Sequence, residues 1–293
     1  MVTRRTALGC IPLLPGLARA GAPELPGSTP RLKTAICAYS FRVALGEGSL
    51  TYEDLVDMAV ENDVDGIDAT VYWFPRSNLD SFLYSLRRKA YLAAVELPSI
   101  AIRSNLCRSQ EREREVETAW LGHWVDVAHK LGASHIRVFG GNVPDGSTED
   151  EAAGWVAEIL KRAGDYAARH GVVLGLENHG GITSRAERIL QIVKTADHPN
   201  VGINLDTGNF RSDPYDQIEM CLPYAVNSQF KVHIRDEDGN HAPSDWDRIV
   251  AMFGSAGYRG YMALEYEDRP DPFTAVPHHL ARLRTLAKRY SAA

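Results

Sequence analysis

Short apolar or β-branched runs alternate along the chain with longer stretches whose apolar positions recur at helical spacing. The short runs predict strands beginning near Thr34, Asp65, Pro98, His135, Val172, Val201, Phe230 and Tyr261. Between them lie helical patterns, among them Tyr52 to Asn62, Gln110 to Leu131, Thr148 to His170, Ala186 to Thr195, Asp245 to Ala256 and Thr274 to Tyr290. Gly or Asn stands near several of their C-terminal ends, as helix stops require. Strand starts recur about every 29 to 37 residues, one βα unit each. Eight such units in about 260 residues predict an α/β fold, a single-domain (β/α)8 TIM barrel over 31–293. An open doubly wound sheet would carry a glycine-rich dinucleotide turn after its first strand, and the sequence has none there.

In a closed barrel the chemistry sits where strands end. Glu177, Asp206, His233 and Glu265 fall at the ends of four consecutive predicted strands, separated by 29, 27 and 32 residues, so the barrel should bring them together. Three carboxylates and an imidazole at one spot would repel one another and lose hydration unless a cation sits among them. A mainly oxygen donor set with one histidine suits a single Mn2+, Mg2+ or Co2+ ion, with Zn2+ also admissible. Taken singly, Asp206-Thr-Gly reads as a turn, His233 as a satisfied core histidine and Glu265 as one charge in an exposed run. Four in register favour the site. Arg137, Arg235, Asn105, His179 and Tyr39 lie near strand ends and are candidates to hold substrate hydroxyls, against ordinary loop packing. His135 begins its strand and should face the opposite end, and the run Glu111 to Glu117 reads as a solvated helix face.

The segments Leu176-Glu177-Asn178-His179-Gly180-Gly181, Leu205-Asp206-Thr207-Gly208-Asn209, Val232-His233-Ile234-Arg235-Asp236 and Leu264-Glu265-Tyr266-Glu267, with Ala38-Tyr39-Ser40-Phe41 as a softer match, carry a resemblance. Over roughly Leu32 to Tyr290 the chain resembles the sugar phosphate isomerase/epimerase group of xylose isomerase-like TIM barrels, in the AP endonuclease 2 superfamily. The resemblance implies that Glu177, Asp206, His233 and Glu265 correspond to the metal ligands of ketose epimerases, with Glu177 and Glu265 also acting as acid and base. Asn209 stands where many relatives, including DNA-repair endonucleases with a three-metal site, carry histidine, which argues against the nuclease arrangement.

The chemistry so implied is proton abstraction next to a carbonyl through an enediolate, giving a metal-dependent sugar isomerase or epimerase. The same site could instead serve an exported lyase eliminating from 3-keto-glycosides, or a non-catalytic sugar-binding barrel. The partner expected is a small carbohydrate. A net charge of -6 over 293 residues disfavours nucleic acid, and a homo-oligomer is left open. Cys37, Cys107 and Cys221 are too widely spaced for a metal knuckle or a disulfide framework and read as buried small hydrophobes, with one bridged pair left open.

The first residues read as an address. Arg4 and Arg5 precede an apolar stretch, Ala7 to Leu17, and Ala18-Arg19-Ala20 is a small-x-small cleavage site, a pattern that resembles a twin-arginine export signal over 1–20. Residues 21–30, rich in Gly, Pro and Ser, read as a tether. Removal of 1–20 deletes three arginines and no acid, taking the net charge from -6 to -9. No later apolar run approaches the roughly 20 residues of a membrane span, so the expected product is a periplasmic protein without one. Replacing Arg4 and Arg5 by Lys should block export. N-terminal sequencing of exported protein should start near Gly21, and a start at Met1 or Val2 would remove the processing claim.

Overall fold

A computed structural model describes residues 29–236 and 239–291; the expected export signal and most of the tether lie outside them. Eight parallel strands close a barrel: β1 (Arg31–Cys37), β2 (Gly66–Thr70), β3 (Glu96–Ala101), β4 (His135–Phe139), β5 (Val173–Glu177), β6 (Val201–Asp206), β7 (Ala225–Phe230) and β10 (Arg259–Leu264). Closure joins β10 to β1, with Leu264 beside Ile36. A short antiparallel hairpin, β8 (His233–Arg235) with β9 (His241–Pro243), stands apart from the barrel sheet.

The helices form where their end signals sit. Thr51 and Thr148 open α2 (Tyr52–Glu61) and α5 (Glu149–Arg169) with reciprocal capping boxes to Asp54 and Glu151. In α4 (Glu111–Leu131), Arg114 and Glu117 are half-buried rather than solvated. Arg114 pairs with Glu158 at 2.9 Å and Glu117 with Arg108 at 2.7 Å.

Alternation along the strands divides the interior in two. Ile36, Ile67, Ile100, Ile136, Leu174, Ile203, Phe230 and Leu264 join the large apolar cluster that also holds the helix faces. The lumen is lined differently, by small and polar groups: Ala35, Cys37 and Ala263 form a separate small cluster, and Asp68, Ser99, His135, Asn204, Asn227 and Gln229 are all buried. TIM barrel lumens are more commonly filled by branched apolar side chains. Here a hydrogen-bond chain replaces them. Asn227 Nδ2 donates to Asp68 Oδ2 at 3.2 Å and to Asn204 Oδ1 at 2.9 Å, and Asn204 Nδ2 donates to Gln229 Oε1 at 3.0 Å. Burial without such partners would cost each group ~1–3 kcal/mol.

This lumen explains the one misplaced strand. The seventh strand was expected to begin near Phe230, whereas β7 ends there. Its polar sequence, Ala-Val-Asn-Ser-Gln-Phe, hides a fully paired central strand because its inward residues are satisfied inside the barrel.

His135 faces the lower end of the lumen, with Nδ1 2.9 Å from Ser99 Oγ, and burial pushes its imidazole down to about 3, leaving it neutral. Cys37, Cys107 and Cys221 are buried and unbridged, and no helix among the described residues is long and apolar enough to cross a membrane. Gly175 leaves room for the His135 ring, since a Cβ there would lie 2.2 Å from Nε2. Gly175→Ala should therefore lower stability by ~1–3 kcal/mol in denaturant unfolding. The same change in a His135→Ser background should cost distinctly less, and an equal cost in both would place the strain elsewhere.

Candidate active site at the barrel mouth

Glu177 ends β5 and Asp206 ends β6, and both side chains are buried at the C-terminal mouth. Glu265 follows the last residue of β10, with its backbone N–H donating to Phe230 O at 2.9 Å. Because β10 and β7 set Leu264 beside Phe230, the position level with Glu265 belongs to Lys231. Asn227, Gln229 and Lys231 continue one inward-facing period-two row.

The expected metal constellation is corrected at this point. The barrel brings Glu177, Asp206 and Glu265 to the mouth, but β7 ends three residues before His233, which falls in the β8 hairpin. Its side chain is 37% exposed and its Nδ1 lies 2.9 Å from Asp268 Oδ2. Lys231 takes the inward place instead. Its Nζ is 2.7 Å from Glu265 Oε2 and 3.6 Å from Asp206 Oδ2, and it also pairs with Glu267. Among the described residues no group of three or more His, Cys, Asp or Glu side chains is arranged to hold a metal ion. The mouth therefore does not fit the divalent ion that the spacing suggested: an ammonium already stands among the carboxylates, and like charges exclude each other.

A second cation balances Glu177. Arg137 on β4 is 2% exposed, and its Nε lies 3.0 Å from Glu177 Oε2. Its Nη1 donates to Ile102 O at 3.2 Å, its Nη2 to the Tyr72 hydroxyl at 3.4 Å, and its plane covers the Phe139 ring at 4.0 Å. Asn209 Nδ2 donates to Glu177 Oε1 at 3.1 Å. Asp206 is fixed from both sides: Asn178 clamps its backbone N–H and C=O at 2.8 Å each, and Gly208 N–H donates to Oδ1 at 2.8 Å. Asp206 Oδ2 is buried without a hydrogen-bond partner.

These surroundings drive the two glutamates apart. Burial, reinforced by Asp206 and Glu265, holds the Glu177 carboxyl well above its ordinary value despite Arg137. Burial also works to raise Glu265, but the charge and hydrogen bond of Lys231, with Arg137, carry it below the ordinary value. Asp206 is pushed up by burial to about 7, with Lys231 opposing. Lys231 stays charged because Glu265, Asp206 and Glu267 outweigh its burial.

A cavity of about 180 Å3 opens among these groups, lined by Tyr39, Tyr72, Arg137, Glu177, Lys231 and Glu265. A second cavity, of about 270 Å3, shares Lys231 and Glu265 with it and reaches His233 and Arg235. His179 stacks on Phe139 at 4.0 Å between ring centres and lines both. Of the expected substrate-holding residues, Tyr39, Arg137, His179 and Arg235 therefore reach the mouth. Arg235 is partly committed, donating to Gly239 O at 3.0 Å. Asn105 does not reach it; it lines a separate cleft with Arg108 and Trp120. A larger cavity, about 590 Å3, opens at the opposite end beside Lys33, His135 and Arg259, away from the strand-end carboxylates.

Sequence reasoning missed Lys231, Tyr72 and Glu267. The available signal for Lys231 was the row Asn227, Gln229, Lys231, masked by the more strand-like run that follows it.

Known proteins place this barrel. It is similar to a 3-dehydroshikimate dehydratase of Bacillus anthracis, 23% identical over 214 residues that cover 68% of this chain and 71% of that protein. Among solved structures it resembles a D-psicose 3-epimerase of Clostridium cellulolyticum H10, bound to D-tagatose, at a TM-score of 0.68 and 18% identity, covering 88% of this chain and 98% of that one. A xylose isomerase-like TIM barrel protein of Mycobacterium smegmatis in complex with magnesium superposes at a TM-score of 0.68 and 19% identity, covering 89% and 98%. The model of the xylose isomerase-like TIM barrel family matches residues 56–286, most of the chain, and the protein belongs to that family.

Proposed function

We propose that the protein is a sugar isomerase or epimerase that moves a proton at a carbon beside a carbonyl. The observation that carries this reading is the pair Glu177 and Glu265. They come from separate strands, line one cavity, and are held by different cations in opposite protonation preferences. Pairs whose environments push their titrations apart are how one site supplies both an acid and a base. In this assignment Glu265, whose carboxylate form Lys231 favours, takes the proton, and Glu177, whose neutral form burial favours, returns one. Tyr39, His179 and Arg235 orient hydroxyls at the rim. Return to the opposite face of the same carbon gives epimerisation; delivery to the former carbonyl carbon, with the neighbouring hydroxyl giving up its proton and the former carbonyl oxygen gaining one, gives isomerisation.

The similarity to a D-psicose 3-epimerase supports the reading through shared fold. The similarity to a 3-dehydroshikimate dehydratase favours a second one: loss of water beside a carbonyl begins with the same proton abstraction, so a lyase acting on 3-keto-glycosides uses the same two glutamates. The export signal proposed for 1–20 adds that the substrate is an unphosphorylated sugar met in the periplasm.

Solvent deuterium incorporation beside the carbonyl, screened over free ketoses and 3-keto-glycosides, tests the reading. Glu177→Gln and Glu265→Gln should each slow incorporation about 10²-fold or more, the range of general acid-base catalysis. Near-normal exchange in both variants would send the search for the base to His179.

A further inference from the structure

We propose that the Lys231 ammonium is the resident cation of this site, in place of a divalent ion, and that it holds the substrate's carbonyl oxygen while the adjacent carbon loses its proton. The proposal rests on the proton-transfer reading above and names the group that stabilises its charged intermediate.

An ammonium has three donors. One meets Glu265 Oε2 at 2.7 Å and another meets Glu267. The remaining carboxylate neighbour, Asp206 Oδ2, stands at 3.6 Å, beyond hydrogen-bonding distance. Lys231 thus keeps one donor for a substrate oxygen, and it lines both mouth cavities. Arg137 also lines the smaller cavity, but its Nη1 and Nη2 donate to Ile102 and Tyr72 and its Nε lies against Glu177, so it stands beside the acid whereas Lys231 stands beside the Glu265 base. Asp206 Oδ2 is buried, lines neither cavity and stands 3.6 Å from the ammonium, so it adds to the charge that holds Lys231 without taking the spare donor. A carbonyl oxygen fits the spare donor, and Tyr39 and His179, which line the same cavity, are placed to meet a neighbouring hydroxyl.

The step balances without a further reagent. The Glu265 carboxylate takes the proton from the carbon beside the carbonyl. The C–H electron pair becomes the new C=C bond, and the carbonyl π pair moves onto oxygen. That oxygen accepts a hydrogen bond from the ammonium, which keeps its protons. Glu177 then supplies a proton to carbon and the carbonyl re-forms. Exchange with solvent returns both carboxyls to their starting states. A fixed, water-shielded charge aimed at a developing oxyanion is among the largest contributions a site can make.

Two measurements on the full chain decide it. Calorimetric titration of the chelator-treated protein with Mn2+ should show no site at micromolar metal, whereas Lys231→Ala, which vacates the space among the carboxylates, should gain one. Deuterium incorporation should be unchanged by EDTA, should fall about 10² to 10³-fold in Lys231→Met, the range for loss of one oxyanion donor, and should partly return in Lys231→Arg. One equivalent of Mn2+ bound to the native chain, with exchange lost to EDTA and restored by Mn2+, would overturn the proposal. The titration of the native chain needs no variant to fold. If no sugar exchanges with or without metal, the proton-transfer reading fails, and the titration still decides whether Lys231 or a metal is the cation.

Discussion

Charge neutralisation at the barrel mouth is the constraint on which the rest of the site depends. Glu177, Asp206 and Glu265 are each buried, and an unpaired buried carboxylate is costly by several kcal/mol even after relaxation. Two cations meet them from the remaining directions, Arg137 from β4 and Lys231 from the end of β7. Neither pairing is symmetric. Arg137 is tied into backbone and aromatic contacts and serves Glu177, while Lys231 is shared among three carboxylates. Burial then raises Glu177 above its ordinary value despite Arg137, while Lys231 carries Glu265 below its own, so the two shift in opposite directions.

The lumen beneath makes this placement possible. Lys231 faces inward because Asn227 and Gln229 do, and those two face inward because Asp68 and Asn204 satisfy them. A slip of one residue in β7 would turn the whole row outward. Asn227 and Gln229 would then meet the apolar helix layer, and Lys231 would leave its carboxylates. The hydrogen-bond chain in the lumen therefore acts as the register pin for the site above it. Gly175 belongs to the same arrangement, since the ring it admits is His135, neutral and paired with Ser99 at the lower end.

The sequence made the barrel legible because seven strands carry an apolar outward face, and Glu177, Asp206 and Glu265 were legible because each closes such a strand. The failure was local and has one cause. Periodicity favours the run Phe230 to Asp236, rich in β-branched and apolar residues, over Ala225 to Phe230, whose inward positions are amides. Amides read as loop when their partners are unknown, and here the partners are distant in sequence: Asp68 is 159 residues from Asn227. Shifting that strand moved the predicted inward side chain from Lys231 to His233. Asn105 failed for a related reason: it follows β3 closely, but its loop carries it into the cleft beside α4.

The balance of charge also bears on what the mouth admits. Buried acids, with Asp68 added to the three at the rim, outnumber the cations that meet them, the buried Arg137 and the half-buried Lys231. Burial works against that excess: it raises Asp68 to about 6 and Asp206 to about 7, and holds Glu177 above its ordinary range. Cations also stand at the rims: Arg103 lines the smaller mouth cavity with Arg137 and Lys231, and Arg211 and Arg235 line the second. A neutral hydroxyl adds charge to neither set, and it can accept from a rim cation and donate to a rim carboxylate in the same contact. The mouth therefore sets donors and acceptors side by side, an arrangement that hydroxyl groups can meet without disturbing the balance between Lys231 and its carboxylates.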